Sequence, residues 1–174
     1  MELEPQGDRV RSEAVQPLSG WFREPFRSRS PADLVERGFV QEVGGDTLAF
    51  APDARVLLSD AFLDTHCFAL RRNGPEGMVG LAFEPLAGRP VPDIEGVMWL
   101  DQATGEIRST DFRYTRFPGE ERSDLLGGRV EFQKLPTGAW IVRRWHIRMP
   151  VRGMVRERVI SGFREGLALV ALRQ

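Results

Sequence analysis

A single cysteine, Cys67, stands in 174 residues, so no disulfide can close within the chain, and the redox compartment stays open. Lysine is equally scarce. Lys134 is the only one, and nearly all positive charge is therefore guanidinium, which favours planar, bidentate contacts to carboxylate or phosphate. Long apolar runs are missing: the longest, residues 167–172, falls far short of the roughly 20 residues of a membrane-spanning helix. The opening Met-Glu-Leu-Glu-Pro-Gln-Gly-Asp has no apolar core of a signal peptide. Either the chain stays in the cytoplasm, or an export signal belongs to a part of the parent polypeptide not present here. Catalytic signatures are absent as well. There is no Gly-Lys-Ser or Gly-Lys-Thr phosphate loop, no Gly-x-Gly-x-x-Gly and no Gly-x-Ser-x-Gly. The only two histidines, His66 and His146, are followed three positions on by Ala69 and Met149, so no His-x-x-Glu metal pair exists. Carboxylates are plentiful, but nothing singles out a glycosidase-like pair. No cofactor is expected.

What is present is extended structure. Residues 93–115 read as strand, tight turn, strand: 94–100 are apolar and partly β-branched, 101–105 (Asp-Gln-Ala-Thr-Gly) supply the turn, and 107–114 resume the pattern. The same reading gives strand pairs at 39–43 and 47–51 around Gly44-Gly45-Asp46, and at 66–71 and 78–84 around Asn73-Gly74-Pro75. Further pairs follow at 129–135 and 139–149 around Pro136-Thr137-Gly138, and at 154–163 and 167–172 across Arg164-Glu165-Gly166. Pro85, Pro90 and Pro92 keep residues 85–93 out of a sheet. Ser30-Pro31-Ala32-Asp33 opens a short helix that Gly38 ends, and residues 56–64 form a second, capped by Asp53 or Ser59. Residues 1–29 are polar and aperiodic, a linker or tail whose Trp21, Phe22 and Phe26 offer docking contacts. The expected fold is mainly β (α+β): a single curved antiparallel sheet or open barrel of about ten short strands with one or two short helices, spanning residues 30–174.

Charge is unevenly spread. Residues 1–128 carry 14 basic and 22 acidic side chains, whereas residues 129–174 carry 10 basic and 3 acidic. Within the basic third, strand 139–149 alternates. Trp140, Val142, Arg144, His146 and Arg148 fall on one face, and Ala139, Ile141, Arg143, Trp145, Ile147 and Met149, apolar apart from Arg143, on the other. Trp140, Arg144, His146 and Arg148 thus form an expected aromatic and cationic strip for anionic headgroups, carboxylates or phosphates. The alternative is a solvated strand whose arginines pair with carboxylates across the ladder. A nucleic-acid role is disfavoured, because the chain is slightly acidic and lacks an RNP-like sequence. A second constellation is Asp60, Asp64, His66 and Cys67. With one helix through residue 64, the carboxylates stand four apart beside the imidazole and thiol, a set that could ligate a divalent metal. Cys67 could equally be a nucleophile with His66 or His146 as base. Adjacent His66 and Cys67 on a strand point to opposite faces, which works against a shared site.

Ala51-Pro-Asp-Ala-Arg-Val-Leu-Leu-Ser-Asp-Ala-Phe-Leu-Asp-Thr-His-Cys-Phe68, Gly80-Leu-Ala-Phe-Glu-Pro85, Asp93-Ile-Glu-Gly-Val-Met-Trp-Leu-Asp101 and the Gly128-Arg-Val-Glu-Phe132 to Trp145 region belong together. Over roughly residues 30–150 they resemble the C-terminal region of bacterial cell-envelope proteins named as carboxypeptidase regulatory-like domain-containing. In that family the naming domain is a β-sandwich upstream of this region, and the name does not denote peptidase activity. The resemblance implies an exported, periplasmic or outer-membrane-associated, non-catalytic module. The 93–115 hairpin is also similar in style to those of periplasmic lipoprotein carriers, where a curved sheet shields acyl chains; Trp99, Phe112, Trp140 and Trp145 would line such a sheet. The functional expectation is a non-enzymatic envelope module that binds a lipid-like hydrophobic or anionic ligand or docks on an envelope protein partner. The alternatives are a hydrolase or metal site around Asp60, Asp64, His66 and Cys67, and a scaffold whose basic third rests on anionic lipid or another subunit.

Overall fold

The computed structural model describes residues 5–6, 9–10, 26, 28–118, 126–155, 158–165 and 168–169, with side chains described at 26, 28–118 and 126–149. Most of the expected tail, including Trp21 and Phe22, lies outside the described residues. The chain is mainly β, with antiparallel pairing throughout and a few short helices. Two-residue strands β1 (Pro5–Gln6) and β2 (Arg9–Val10) pair with each other.

Helix α1 (Pro31–Arg37) begins as its sequence dictates. The Ser30 hydroxyl accepts the Asp33 N–H at 3.1 Å, and proline occupies the first turn. Gly38 ends it at φ 86°, where a Cβ would also run into the Pro92 carbonyl. Strands β3 (Val40–Val43) and β4 (Asp46–Ala49) form a hairpin over Gly44 and Gly45, whose φ values of 62° and 90° suit a two-residue turn. This hairpin is a two-stranded sheet of its own, so the expectation of a single sheet is corrected. The expected helix at 56–64 is likewise two helices, α2 (Ala54–Leu57) and α3 (Asp60–Leu63). Ser59 divides them: in extended conformation (ψ 146°), its hydroxyl donates to the Val56 carbonyl and accepts the Phe62 N–H. Asp53 caps the first through the Val56 N–H at 2.8 Å.

Strands β5 (His66–Arg71), β6 (Met78–Pro85), β7 (Ile94–Asp101), β8 (Ile107–Tyr114), β9 (Gly127–Lys134) and β10 (Trp140–Val155) form an antiparallel meander, each paired to the next. No barrel closes among the described residues, and β5 is an outer edge. At the other side the chain departs from the expected hairpin across Arg164-Glu165-Gly166. Strand β10 continues through Pro150 to Val155, and both β11 (Arg158–Glu165) and β12 (Ala168–Leu169) pair with it. Because β9 takes the opposite edge of β10, β11 and β12 run along the same edge. Residues 170–172 of the expected last strand lie outside the described residues.

The helices, with Phe39 just before β3, contribute Leu34, Phe39, Val56, Leu57 and Phe62 to a core completed by Phe83, Ile94, Met98, Phe112, Tyr114, Val130 and Phe132 from one face of the meander. Burying side chains of this kind is worth about 1.5–3 kcal/mol each. Tyr114 is fully enclosed, its hydroxyl donates to the Phe50 carbonyl at 3.1 Å, and burial raises its phenol far above the ordinary range. The opposite, open face of the meander is where functional groups gather. No helix among the described residues is long and apolar enough to cross a membrane.

Candidate functional site

Register decides which side chains share the open face. Between β9 and β10, Val142 opposes Phe132 but Arg144 opposes Glu131, so Arg143 is an extra, bulged residue. Beyond the bulge Trp145 opposes Val130, His146 opposes Arg129 and Arg148 opposes Gly127. Trp140, opposite Lys134, therefore lies on the face of Val142 and the buried Phe132, packed against the core. Arg144, His146 and Arg148 lie on the open face with Ile141. The expected strip is thus split: its three cationic or titratable members stay together, and the tryptophan leaves them. The simple alternation failed because a bulge inverts the face of everything after it. Trp140 instead borders a cavity of about 340 Å³ with Phe26, Asp53, Arg55 and Phe132, and Lys134 sits 5.7 Å from its ring centre.

On the open face the register draws continuous rows across the strands. One runs Arg71, Gly80, Trp99, Ser109, Glu131, Arg144; the next Ala69, Ala82, Val97, Asp111, Arg129, His146. A third places Glu95 beside Arg113 and Cys67 beside Glu84. Arg129 holds Asp111 at 2.8 Å and Ser109 at 3.0 Å, and the Trp99 indole N–H donates to Asp111 at 2.7 Å. Arg113 pairs with Glu95. The Trp99 ring occupies the space that side chains at Gly74 and Gly80 would need.

Over the second row lies a trough of about 760 Å³. Ala69, Ala82 and Val97 line its middle, Cys67, Glu84, Glu95 and Arg113 one end, and Arg71 the other. Arg71 and Glu84 have no hydrogen-bond or ionic partner among the described residues. A surface of this composition offers contact area for an apolar group, flanked by a cation able to bind an anion. Sequence reasoning missed the trough because its middle is made of small residues on three strands that only the register aligns.

The second constellation does not assemble. Asp60 and Asp64 are exposed at the two ends of α3, Cys67 is exposed on the open face, and His66 is buried on the core face. No group of three or more His, Cys, Asp or Glu poised for a metal occurs among the described residues. Strand alternation separates His66 from Cys67, and the split at Ser59 leaves α3 a single turn.

His66 has a different partner, Asp93, which the sequence did not single out. Both side chains are essentially inaccessible (0% and 1%), with His66 Nε2 3.3 Å from Asp93 Oδ1. His66 stacks on Phe62 at 3.8 Å between ring centres, and its Nδ1 donates to the Phe62 carbonyl at 2.9 Å. Asp93 also accepts the Ile94 N–H at 2.8 Å and pairs with Arg89, which donates onward to the Val35 carbonyl at 2.7 Å. Burial pushes the Asp93 carboxyl up, but His66, the Ile94 N–H and Arg89 together outweigh it and hold the pKa below the ordinary carboxylate value. Neither cavity described above includes these residues. The cluster pins α1, α3, β5 and the start of β7 together.

The chain matches no family model, no curated protein and no solved structure.

Proposed function

We propose that the chain is a non-enzymatic binding module of the bacterial cell envelope, whose curved antiparallel sheet, β5 to β12, takes an anionic amphiphile on its open face. The trough carries this reading. Its small apolar middle accepts an alkyl segment, and Arg71 at its end, whose side chain has no ionic partner among the described residues, accepts the anionic head. Arg144, His146 and Arg148 extend the same face toward β10 and supply a second cationic region. The envelope setting is supported by the family resemblance over residues 30–150. The hydrolase or metal reading has less support, because Asp60, Asp64, His66 and Cys67 do not converge.

The test uses laurate as a probe, with binding followed by native mass spectrometry and titration calorimetry. The expected result is a one-to-one adduct, weakened at least about tenfold by Val97→Glu, which places a like charge in the trough, and several-fold by Arg71→Glu. Binding that ignores both substitutions, or no binding, would overturn the reading.

A further inference from the structure

We infer that the free edge of β5 is a homodimer interface, in which two copies pair β5 against β5 antiparallel about a two-fold axis through Ala69. This goes beyond the ligand reading and does not depend on it.

The edge is open and lightly defended. Among the described residues, β5 pairs only with β6, so one row of its backbone N–H and C=O groups has no strand partner. Natural edges of this kind are blunted by proline, lysine, bulges or an inward charge. His66–Arg71 is regularly paired along its length, contains neither proline nor lysine, and has its one arginine at the last position. It also carries Leu70, whose 69% exposure is the greatest for a large hydrophobic side chain among the described residues. Leu63, at the end of the helix feeding β5, is exposed as well.

The occupant follows from the sequence of the edge itself. A two-fold axis normal to the sheet keeps both open faces on one side, and it requires paired residues of equal parity. Centred on Ala69, the register sets Ala69 against its own copy, Phe68 against Leu70 of the partner subunit, and Cys67 against Arg71 of the partner subunit. Phe68 and Leu70 both lie on the face of Phe83 and Leu81, so each half-buried phenyl covers an exposed leucine, twice by symmetry. No like charges are opposed. Moving the centre two residues toward Arg71 would oppose two guanidinium groups, which is unfavourable. The chosen register also joins the two trough middles into one row, Val97–Ala82–Ala69 and its symmetry copy, without blocking either. A heterologous peptide would satisfy the same backbone groups, but nothing in it would need this self-complementary order.

The experiment is sedimentation velocity over a concentration series, combined with cysteine cross-linking of the full chain. Paired Cα atoms in an antiparallel ladder stand about 4.5–5.5 Å apart, within disulfide reach. Cys67→Ser with Ala69→Cys should therefore give a covalent dimer under oxidised glutathione, of twice the 19.7 kDa chain mass. Native Cys67, four positions from its own copy in this register, should not cross-link. Adding Leu70→Lys should suppress the cross-link and raise the dimer dissociation constant at least about tenfold, with the circular dichroism spectrum unchanged. A monomer at every concentration overturns the inference, as does a dimer whose residue-69 cysteines fail to join. Laurate binding by the Leu70→Lys monomer is read separately, so loss of the dimer and loss of the ligand site are distinguished.

Discussion

Asp93→Ala removes one carboxylate from a cluster in which every other member stays behind. The Arg89 guanidinium would then lose its carboxylate, the Ile94 N–H its acceptor, and the buried His66 imidazole the group it faces. Breaking a buried pair by deleting one partner costs about 3–5 kcal/mol. Against a typical domain stability of about 5–15 kcal/mol, this is a large fraction. Urea denaturation at pH 7, followed by tryptophan fluorescence, should show the midpoint fall with little change in slope. The pH dependence gives an independent check. Asp93 has a folded pKa below its unfolded value of 3.8, so it binds fewer protons when folded. Its contribution is fully present above the unfolded value and is lost as pH falls through 3.8 toward the folded pKa. Wild type should therefore lose stability more steeply than Asp93→Ala below about pH 4.5. The double variant His66→Leu with Asp93→Leu should recover part of the loss, since an apolar replacement strands fewer buried charges. A cost under about 1 kcal/mol, or parallel acid profiles for wild type and variant, would refute the account of the cluster.

Two further outcomes follow from the sheet. Gly128→Ala drives a methyl into the His146 carbonyl across the β9–β10 ladder, and should lower stability by about 2 kcal/mol or more in a thermal melt, whereas Gly105→Ala, strained only by its φ of 70°, should cost less. Arg144→Glu with Arg148→Glu should leave the melt within about 1 kcal/mol of wild type while reducing retention on anionic vesicles at low salt; retention unchanged would remove these residues from the binding face.

The hairpins were legible because their turns are written in residues with specific backbone freedom. Gly44, Gly45, Gly105 and Gly138 all adopt positive φ at the turns where the sequence placed them. Ser30, Asp53 and Ser59 were legible as caps for the same local reason, although the consequence of Ser59, a break rather than a start, needed the fold. Faces were less accessible. Trp140 to Arg148 reads as one alternation, and no residue in Trp-Ile-Val-Arg-Arg-Trp announces that Arg143 has no partner on β9. The middle of the trough and the His66–Asp93 contact were invisible because they join residues 13 to 28 positions apart, through a register no local pattern encodes. The length of β10 was understated because Pro150 reads as an ending. The structure carries the strand past it.

The bulge at Arg143 also divides β10 into two reading frames. Before it, even-numbered residues belong to the core; after it, odd-numbered residues do, with Val142 in the first frame and Trp145 and Ile147 in the second. A regular ladder that paired Arg143 would force a choice, either turning Val142 and Trp140 out to solvent or driving Arg144, His146 and Arg148 into the core. Deleting Arg143, by contrast, would set Val142–Phe132 and Arg144–Glu131 in consecutive register and keep every side chain on its present face. Charge on one side of the sheet and packing on the other are therefore kept apart by leaving one residue out of the ladder, and nothing in that arrangement depends on the residue being arginine.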